Sequence, residues 1–549
     1  MSYLDSLNRF ITNPTNLDIR RSTFKRDSSH KTTFKAGELI PIYLDEILPG
    51  DSVSMDVGTL IRSITPAVPV MDNAFADIYF FWVPSRICTV HDKDWQKIFN
   101  ENTNGFWAPS NESTLENTGN TYDFGSTGLD ADSIGAYMGL PIVVSARSAN
   151  DYKKISMLPV NAYTLVWNEW FRDQNIQAPH SLGSIVYDDK CLKVCKIHDY
   201  FTSCLPSPQK GASVLLPIGQ YAPVITRTNE VNTKKATPVY VRSSDVDDSH
   251  PVGHLGSTNP TGTAPGVLST DGVGGTFANP GYFSNLWADL SSATAVSVNQ
   301  MREAFAIQRL LEKDARGGTR YREMLKAHFG VSIPDNTVQV PEYLGGKRIS
   351  LNMQQVLQTS ENNNSPLGTT GAFSNTFSKD KLFVKSFTEY GYILGVCCVR
   401  CEQSYSQGIP RLFTRNRRFD HYHPVFANLG EKAVMKYELF VKDDFVANDF
   451  NVVFGYQEAW AEYRYKNNVV SGFLAPNAGD SVMSSWTYTN QFSSAPTLNA
   501  QFLYQSSDQF DNTFVVQNSD FHFIADFYFD CLMTRPMPLY SIPGLIDHH

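Results

Sequence analysis

Charge is scarce in this chain. Asp, Glu, Lys and Arg make up 18% of its 549 residues and leave a net charge of −9. So acidic a body excludes a protein that coats nucleic acid over its whole surface, and any such contact has to come from local basic patches. Cysteine is scarcer still. Eight thiols spread over 549 residues are too sparse for a disulfide framework, so free thiols in a reducing compartment are expected. The opening MSYLDSLNRF lacks the basic and apolar regions of a signal peptide, and no apolar run approaches the ~18 residues of a membrane span. Together these absences predict a soluble protein outside the usual secretory route. Catalytic signatures are also missing: the chain holds no GxSxG elbow, no HExxH and no GxGxxG after a strand. Gly345-Gly346-Lys347 fails as a phosphate loop because Pro341 and Arg348 stand where glycine and a hydroxyl belong. Nothing singles out a pair of carboxylates, and no enzyme is expected.

What the chain has in quantity is aromatic rings, 13% of residues. This balance suits a protein that buries much surface, including surface between copies of itself. The rings fall mostly in strand patterns. Val53 to Ile64 follows the turn Pro49-Gly50-Asp51, and Ile78 to Val83 is a short, almost continuously apolar run closed by Pro84, as a strand buried on both faces would be. Leu382 to Arg400 predicts one or two buried strands broken by Gly391 and Gly395, and Met435, Tyr437, Leu439 and Val441 alternate with their neighbours. From Phe521 to Met533 every second residue is Phe, Ala, Cys or Met, with His522, Asp526 and Asp530 on the other face, the clearest strand in the sequence.

Two helical stretches interrupt this pattern. Tyr163, Val166, Trp167, Trp170 and Phe171 lie at i, i+3, i+4, i+7 and i+8, an amphipathic stripe for core packing. In the second, Ser297 and Gln300 make a capping box for a helix whose Val298, Met301, Ala304, Phe305, Leu311 and Ala315 share one face. Gly317-Gly318 ends that helix; Thr319 caps another that carries Tyr321, Leu325 and Phe329 inward and stops at Gly330. Between the two stretches, Tyr221 to Ala295 turns to Gly, Thr, Ser, Asn, Pro and Asp. It cannot build a core of its own and is either a projecting insertion or a linker.

The wording of several segments is specific. NQMREAFAIQRLLEKDARGGTRYREMLKAHFGV followed by PEYLGG, HDYFTSCLPSPQKG, FGYQEAWAEYRYKNN and RSTFKRDSSHKTTFKAGELIPIYLDEILPGD closely resemble the major capsid proteins of gokushovirus-type microviruses, small single-stranded DNA bacteriophages. The resemblance implies a mainly β fold, an eight-stranded antiparallel viral jelly roll with long loop and helical insertions. It divides the chain into a basic N-terminal arm (1–35), a first shell part (36–220), a surface insertion or protrusion (221–295), and a last part (296–549) holding the helical hairpin, the remaining strands and an extended tail. It implies a T=1 icosahedral shell of identical copies around circular single-stranded DNA, assembled in the bacterial host cytoplasm. The implied partners are a small basic DNA-binding virion protein, a pilot protein and a host surface receptor. No cofactor and no metal are expected. The rival from another class is a carbohydrate-binding or glycosidase β-sandwich, since that architecture and aromatic content also suit sugars.

Candidate sites follow from charge. In the segment Arg9 to Lys35, Arg20, Arg21, Lys25, Arg26 and Lys31 surround Phe24 and precede Phe34, a mixture that suits phosphates and unpaired bases. The same composition also fits an arm lying on a neighbouring subunit. In PRLFTRNRRFDHYHP, Arg411, Arg415, Arg417 and Arg418 stand among Phe413, Phe419 and Tyr422; Asp420 in their midst favours a subunit interface over phosphate. Cys398 and Cys401 form a CxxC beside Cys397, yet in an apolar strand such thiols act as small hydrophobes. Asp245, Asp247, Asp248, His250 and His254 match no calcium-loop spacing.

Overall fold

The computed structural model describes residues 20–91, 94–95, 119–124, 128–142, 153–214, 224–226, 239–242, 253–255, 282–283, 286–288, 298–360, 366–441, 451–476, 483–517 and 519–540. The chain divides into two units, Met1–Pro208 with Asp314–His549, and Gln209–Lys313.

In the larger unit nine strands build two antiparallel sheets: β1 Ser22–Lys25, β2 Ser28–Phe34, β3 Ile40–Ile47, β4 Ser52–Ser63, β5 Ala74–Pro84, β6 Glu342–Ser350, β7 Thr376–Ser386, β8 Gly391–Cys401 and β9 Phe523–Arg535. In the first sheet β9 lies between β4 and the β1–β2 segment, and β7 flanks β4 on the far side. The second runs β6-β5-β8-β3. The period-two pattern of β9 decides how they stack. Phe523, Ala525, Phe527, Phe529, Cys531 and Met533 are buried while Ile524, Tyr528 and Leu532 are exposed, so one face of this sheet is core and the other open. Phe529 meets Tyr43 of β3 at 4.8 Å and Phe80 of β5 at 6.2 Å, and Phe80 meets Phe383 of β7 at 5.8 Å. Burying each such ring is worth about 1.5–3 kcal/mol.

The second sheet is covered on both faces, as its continuous apolar run requires. Its outer side carries helix α1, Leu158–Val166, prolonged by a π turn Trp167–Phe171. Tyr163 Oη donates to the Leu39 carbonyl at 2.8 Å, and Trp170 and Phe171 pack on Phe81 and Tyr79. Gly395 lies in the middle of β8 rather than breaking it: a Cβ there would stand 2.9 Å from the Phe80 ring and from Tyr43 Cβ on the two flanking strands, so glycine leaves room for those side chains to lie across β8. A second core cluster in the same unit gathers Tyr200, Phe201, Tyr405, Phe454 and Phe502 beside the strand pair Glu431–Met435 and Val453–Glu458.

Several expectations change. Residues 22–34 are not an arm ahead of the first strand, because β1 and β2 pair with β9 along its whole length. Lysine and threonine on that segment are the composition of an edge strand, whose charges discourage unwanted pairing. The alternation at 435–441 does not continue as a strand; it ends at Met435 and tightens into a 3₁₀ turn, Lys436–Glu438. His522 is fully buried, not on the solvent face.

The helical hairpin is present as α2, Val298–Arg316, and α3, Tyr321–Phe329, parted at Gly318 with φ +91°. The N-cap of α3 is Arg320, whose N–H donates to the Glu323 carboxylate at 3.2 Å. Thr319, the expected cap, bonds Asn175 instead, at 2.6 Å. Tyr321 and Phe329 are 61% and 72% exposed, where an inward face was expected; α3 is held by an Arg322–Asp335 ion pair at 2.5 Å and a His328–Asp314 hydrogen bond at 2.6 Å. Helical period marks an apolar face but does not say which molecule covers it. Ser297 lies outside the described residues.

The unit Gln209–Lys313 encloses the segment read as an insertion. Its described strands pair Val224–Thr226 with Leu286–Ala288, and Val239–Arg242 with both Gly253–Leu255 and Tyr282–Phe283. Asp245, Asp247, Asp248 and His250 lie outside the described residues.

Candidate interaction surfaces

The basic segment is an exposed edge with much of its charge already answered. Lys25 Nζ stands 2.8 Å from Asp27, Arg26 2.7 Å from Asp45 and Lys31 3.6 Å from Asp526. The hydrogen bond to Asp27 raises the Lys25 pKa, and the same bond lowers that of Asp27. Arg21 donates to the Gly50 carbonyl. Arg20 and Arg21 are thus the two cations of the set for which no carboxylate partner occurs among the described residues.

The arginine-rich turn splits in two. Arg411 is 10% exposed and donates to Glu438 Oε1 at 3.2 and 2.5 Å and to the Ala433 carbonyl at 2.6 Å. Arg415, 12% exposed, pairs with Glu462 at 3.1 Å and lies over the Tyr463 ring at 4.3 Å. Both therefore hold their own subunit together. Burial raises the Glu438 pKa, and the Arg411 guanidinium opposes that rise. Arg417 and Arg418 remain exposed; Asp420, instead of facing a neighbour, accepts from the Asn416 and Arg417 N–H groups at 3.0 and 2.7 Å. In the same turn Leu412, Phe413, Phe419 and Val425 are 59–88% exposed, a density of open apolar side chains that marks association.

Cys397, Cys398 and Cys401 are fully buried free thiols, and burial pushes Cys398 and Cys401 up to about 12. A thiol held protonated is neither nucleophile nor metal ligand. Among the described residues no three His, Cys, Asp or Glu gather as a metal site, and no helix is long and apolar enough to cross a membrane.

Sequence reasoning missed two features. One is a buried polar chain in which Lys196 Nζ donates to Asn490 Oδ1 (3.0 Å), Asn490 to Gln403 (2.9 Å) and Gln403 to Gln505 (3.0 Å). Burial pushes Lys196 down to about 8. The other is a ring cluster of Tyr79, Phe81, Trp170, Phe171 and Tyr343 with centroids 5.5–6.5 Å apart. Members of each come from segments far apart in the chain, and no local pattern signals them.

Two facing antiparallel sheets with many open apolar side chains suit a subunit that associates with others. The chain belongs to the family described as capsid protein (F protein), whose model matches residues 13–545. It is similar to the protein named capsid protein VP1 of Bdellovibrio phage phiMH2K, 38% identical over 533 residues and 95% of each chain. It is also similar to those of the same name from Spiroplasma virus 4, 36% identical over 94% of each, and Chlamydia phage 1, 34% identical over 98% of each. The expected resemblance is borne out. The protein is a structural capsid subunit of a virion, not an enzyme, and its assembled form is a shell of its own copies.

Proposed function

We propose that the chain is the repeating subunit of a T=1 icosahedral shell around circular single-stranded DNA, built on an eight-stranded jelly roll. The pairing order carries this reading. With β1 and β2 taken as one interrupted strand, the two sheets run β2-β9-β4-β7 and β3-β8-β5-β6. Successive strands thus alternate between the facing sheets except β5 and β6, which are neighbours in one sheet, and this order is how two nested Greek keys wrap. Segment 221–295 is the outward protrusion that meets a host receptor. The exposed turn with Arg417 and Arg418 meets a neighbouring copy, and the edge from Arg20 to Lys31 meets DNA, chiefly through Arg20 and Arg21. A small basic virion protein and a pilot protein complete the particle, which assembles in the host cytoplasm. Native mass measurement with particle imaging tests the reading. One chain per asymmetric unit of a closed, DNA-filled particle is expected; a small oligomer that binds saccharides would replace it with a carbohydrate-binding sandwich.

A further inference from the structure

The ring cluster floors a cavity of about 300 Å³ lined by Tyr79, Phe81, Trp170, Phe171, Tyr343 and Arg400, with Lys196 and His198 at its wall. A second cavity of about 200 Å³ shares Trp170, Phe171, Cys195 and His198 with it and adds Arg172, Asn175 and Arg320. The two form one cleft, apolar and aromatic at one end and cationic at the other. Its lining carries Arg172, Arg320, Lys196 and Arg400 against Asp173 and Glu323, and Arg400 is already paired to the buried Asp77.

The cationic end has capacity to spare. Arg172 donates to the carbonyls of Asn168 (3.3 Å) and Gln177 (2.7 Å), and makes no ion pair among the described residues. Arg320 pairs with Glu323 at 3.0 Å, but its Nε–H is buried and makes no hydrogen bond, with Glu169 Oε2 at 3.4 Å. Burial, and next the neighbouring Arg320, lower the Arg172 pKa, and Glu169 and Asp173 oppose that fall without cancelling it, so the two guanidiniums are only partly answered by carboxylates. At the other end Tyr343 presents 41% of its surface. Planar rings beside guanidiniums are the two elements that hold an unpaired base and its phosphate. A lipid chain has no use for the guanidiniums, and an acidic peptide has none for the five rings.

We infer that this cleft takes one unpaired nucleotide, its base against the Trp170, Phe171 and Tyr343 rings and its phosphate toward Arg172 and Arg320. The shell reading enters only as the source of the strand; the recognition is chemistry of this chain alone.

The test uses the full unassembled chain with labelled (dT)8 and with an abasic deoxyribose-phosphate oligomer of the same length. Tyr343→Ala is expected to weaken (dT)8 roughly ten-fold, a typical loss for one stacked base, and to leave the abasic oligomer unchanged; Arg172→Gln weakens both. On the unaltered chain, photocrosslinking of an iodouracil oligomer is expected at Trp170, Phe171 or Tyr343, a readout that needs no variant to fold. Equal affinity for (dT)8 and the abasic oligomer, or crosslinks confined elsewhere, overturns the inference. So does a shift of Trp170 emission when nucleic-acid-free shells assemble, because a side chain of a neighbouring copy then fills the cavity. Failure to form closed particles, with ring crosslinks intact, sinks the shell reading and leaves this site standing.

Discussion

Replacing Arg411 by alanine separates an interface residue from an internal strut. Arg411 is the main partner of a Glu438 side chain only 4% exposed, whose Oε1 also takes the Met435 N–H at 2.9 Å. Removing the guanidinium leaves Glu438 buried with Glu462 nearby, an uncompensated charge that costs about 3–5 kcal/mol. Thermal melting of the unassembled chain, followed by tryptophan emission, should fall markedly for Arg411→Ala. Arg417→Ala, at an exposed site, should stay within about 0.5 kcal/mol of the parent. Adding Glu438→Gln to Arg411→Ala should recover part of the loss, since the buried charge is then gone. The pH dependence has a definite sign. Without Arg411, burial and the Glu462 carboxylate, opposed only by the Met435 N–H bond, raise the folded pKa of Glu438 further above the unfolded value of 4.5. A raised pKa gives stability at low pH that is lost as pH rises through it, so the defect is smaller at pH 5 than at pH 8. If Arg411→Ala melts like the parent yet blocks association, the side chain works between subunits and this account is wrong.

Phe529→Ala, which empties the space between Tyr43 and Phe80, should cost about 3–5 kcal/mol; Tyr528→Ala, on the open face, should cost far less, and equal losses in denaturant titration would mean the sheet is reversed. Burial lowers the pKa of His522, which takes the Ala36 N–H on Nδ1 at 3.2 Å and lies 2.9 Å from Asp511 through Nε2, with Lys35 and Asp508 also acting on it. Its neutral form therefore contributes stability that is whole above the unfolded value of 6.5 and lost as pH falls from there toward the folded pKa. His522→Gln should flatten the melting profile over that range, and an unchanged slope would exclude His522 as its cause. Arg20→Gln with Arg21→Gln should lower the salt slope of single-strand binding by about 0.7 per lost phosphate contact, while Lys25→Gln with Lys31→Gln changes it less; the reverse order in salt titrations would move the contact inward along the edge.

Period and composition alone located β4, β5, β9 and α1, because a side chain that must face a core repeats at 2.0 or 3.6 residues whatever it packs against. The same logic recognised the cysteines of β8 as core, and long specific wording placed the chain in its family. Three-dimensional structure decided the rest. Basic charge at residues 20–31 looked free in the sequence, and only the pairing of β2 with β9 brought Lys31 to Asp526. Arg411 resembled Arg417 until folding set Glu438 beside one and not the other. The ring and guanidinium cleft was invisible, since Tyr79, Trp170, Arg320 and Tyr343 meet across four separate segments. A sequence states what each residue prefers as its neighbours' local geometry repeats; which distant carboxylate neutralises a given cation, and which rings enclose a cavity, depends on contacts between segments that no local preference encodes.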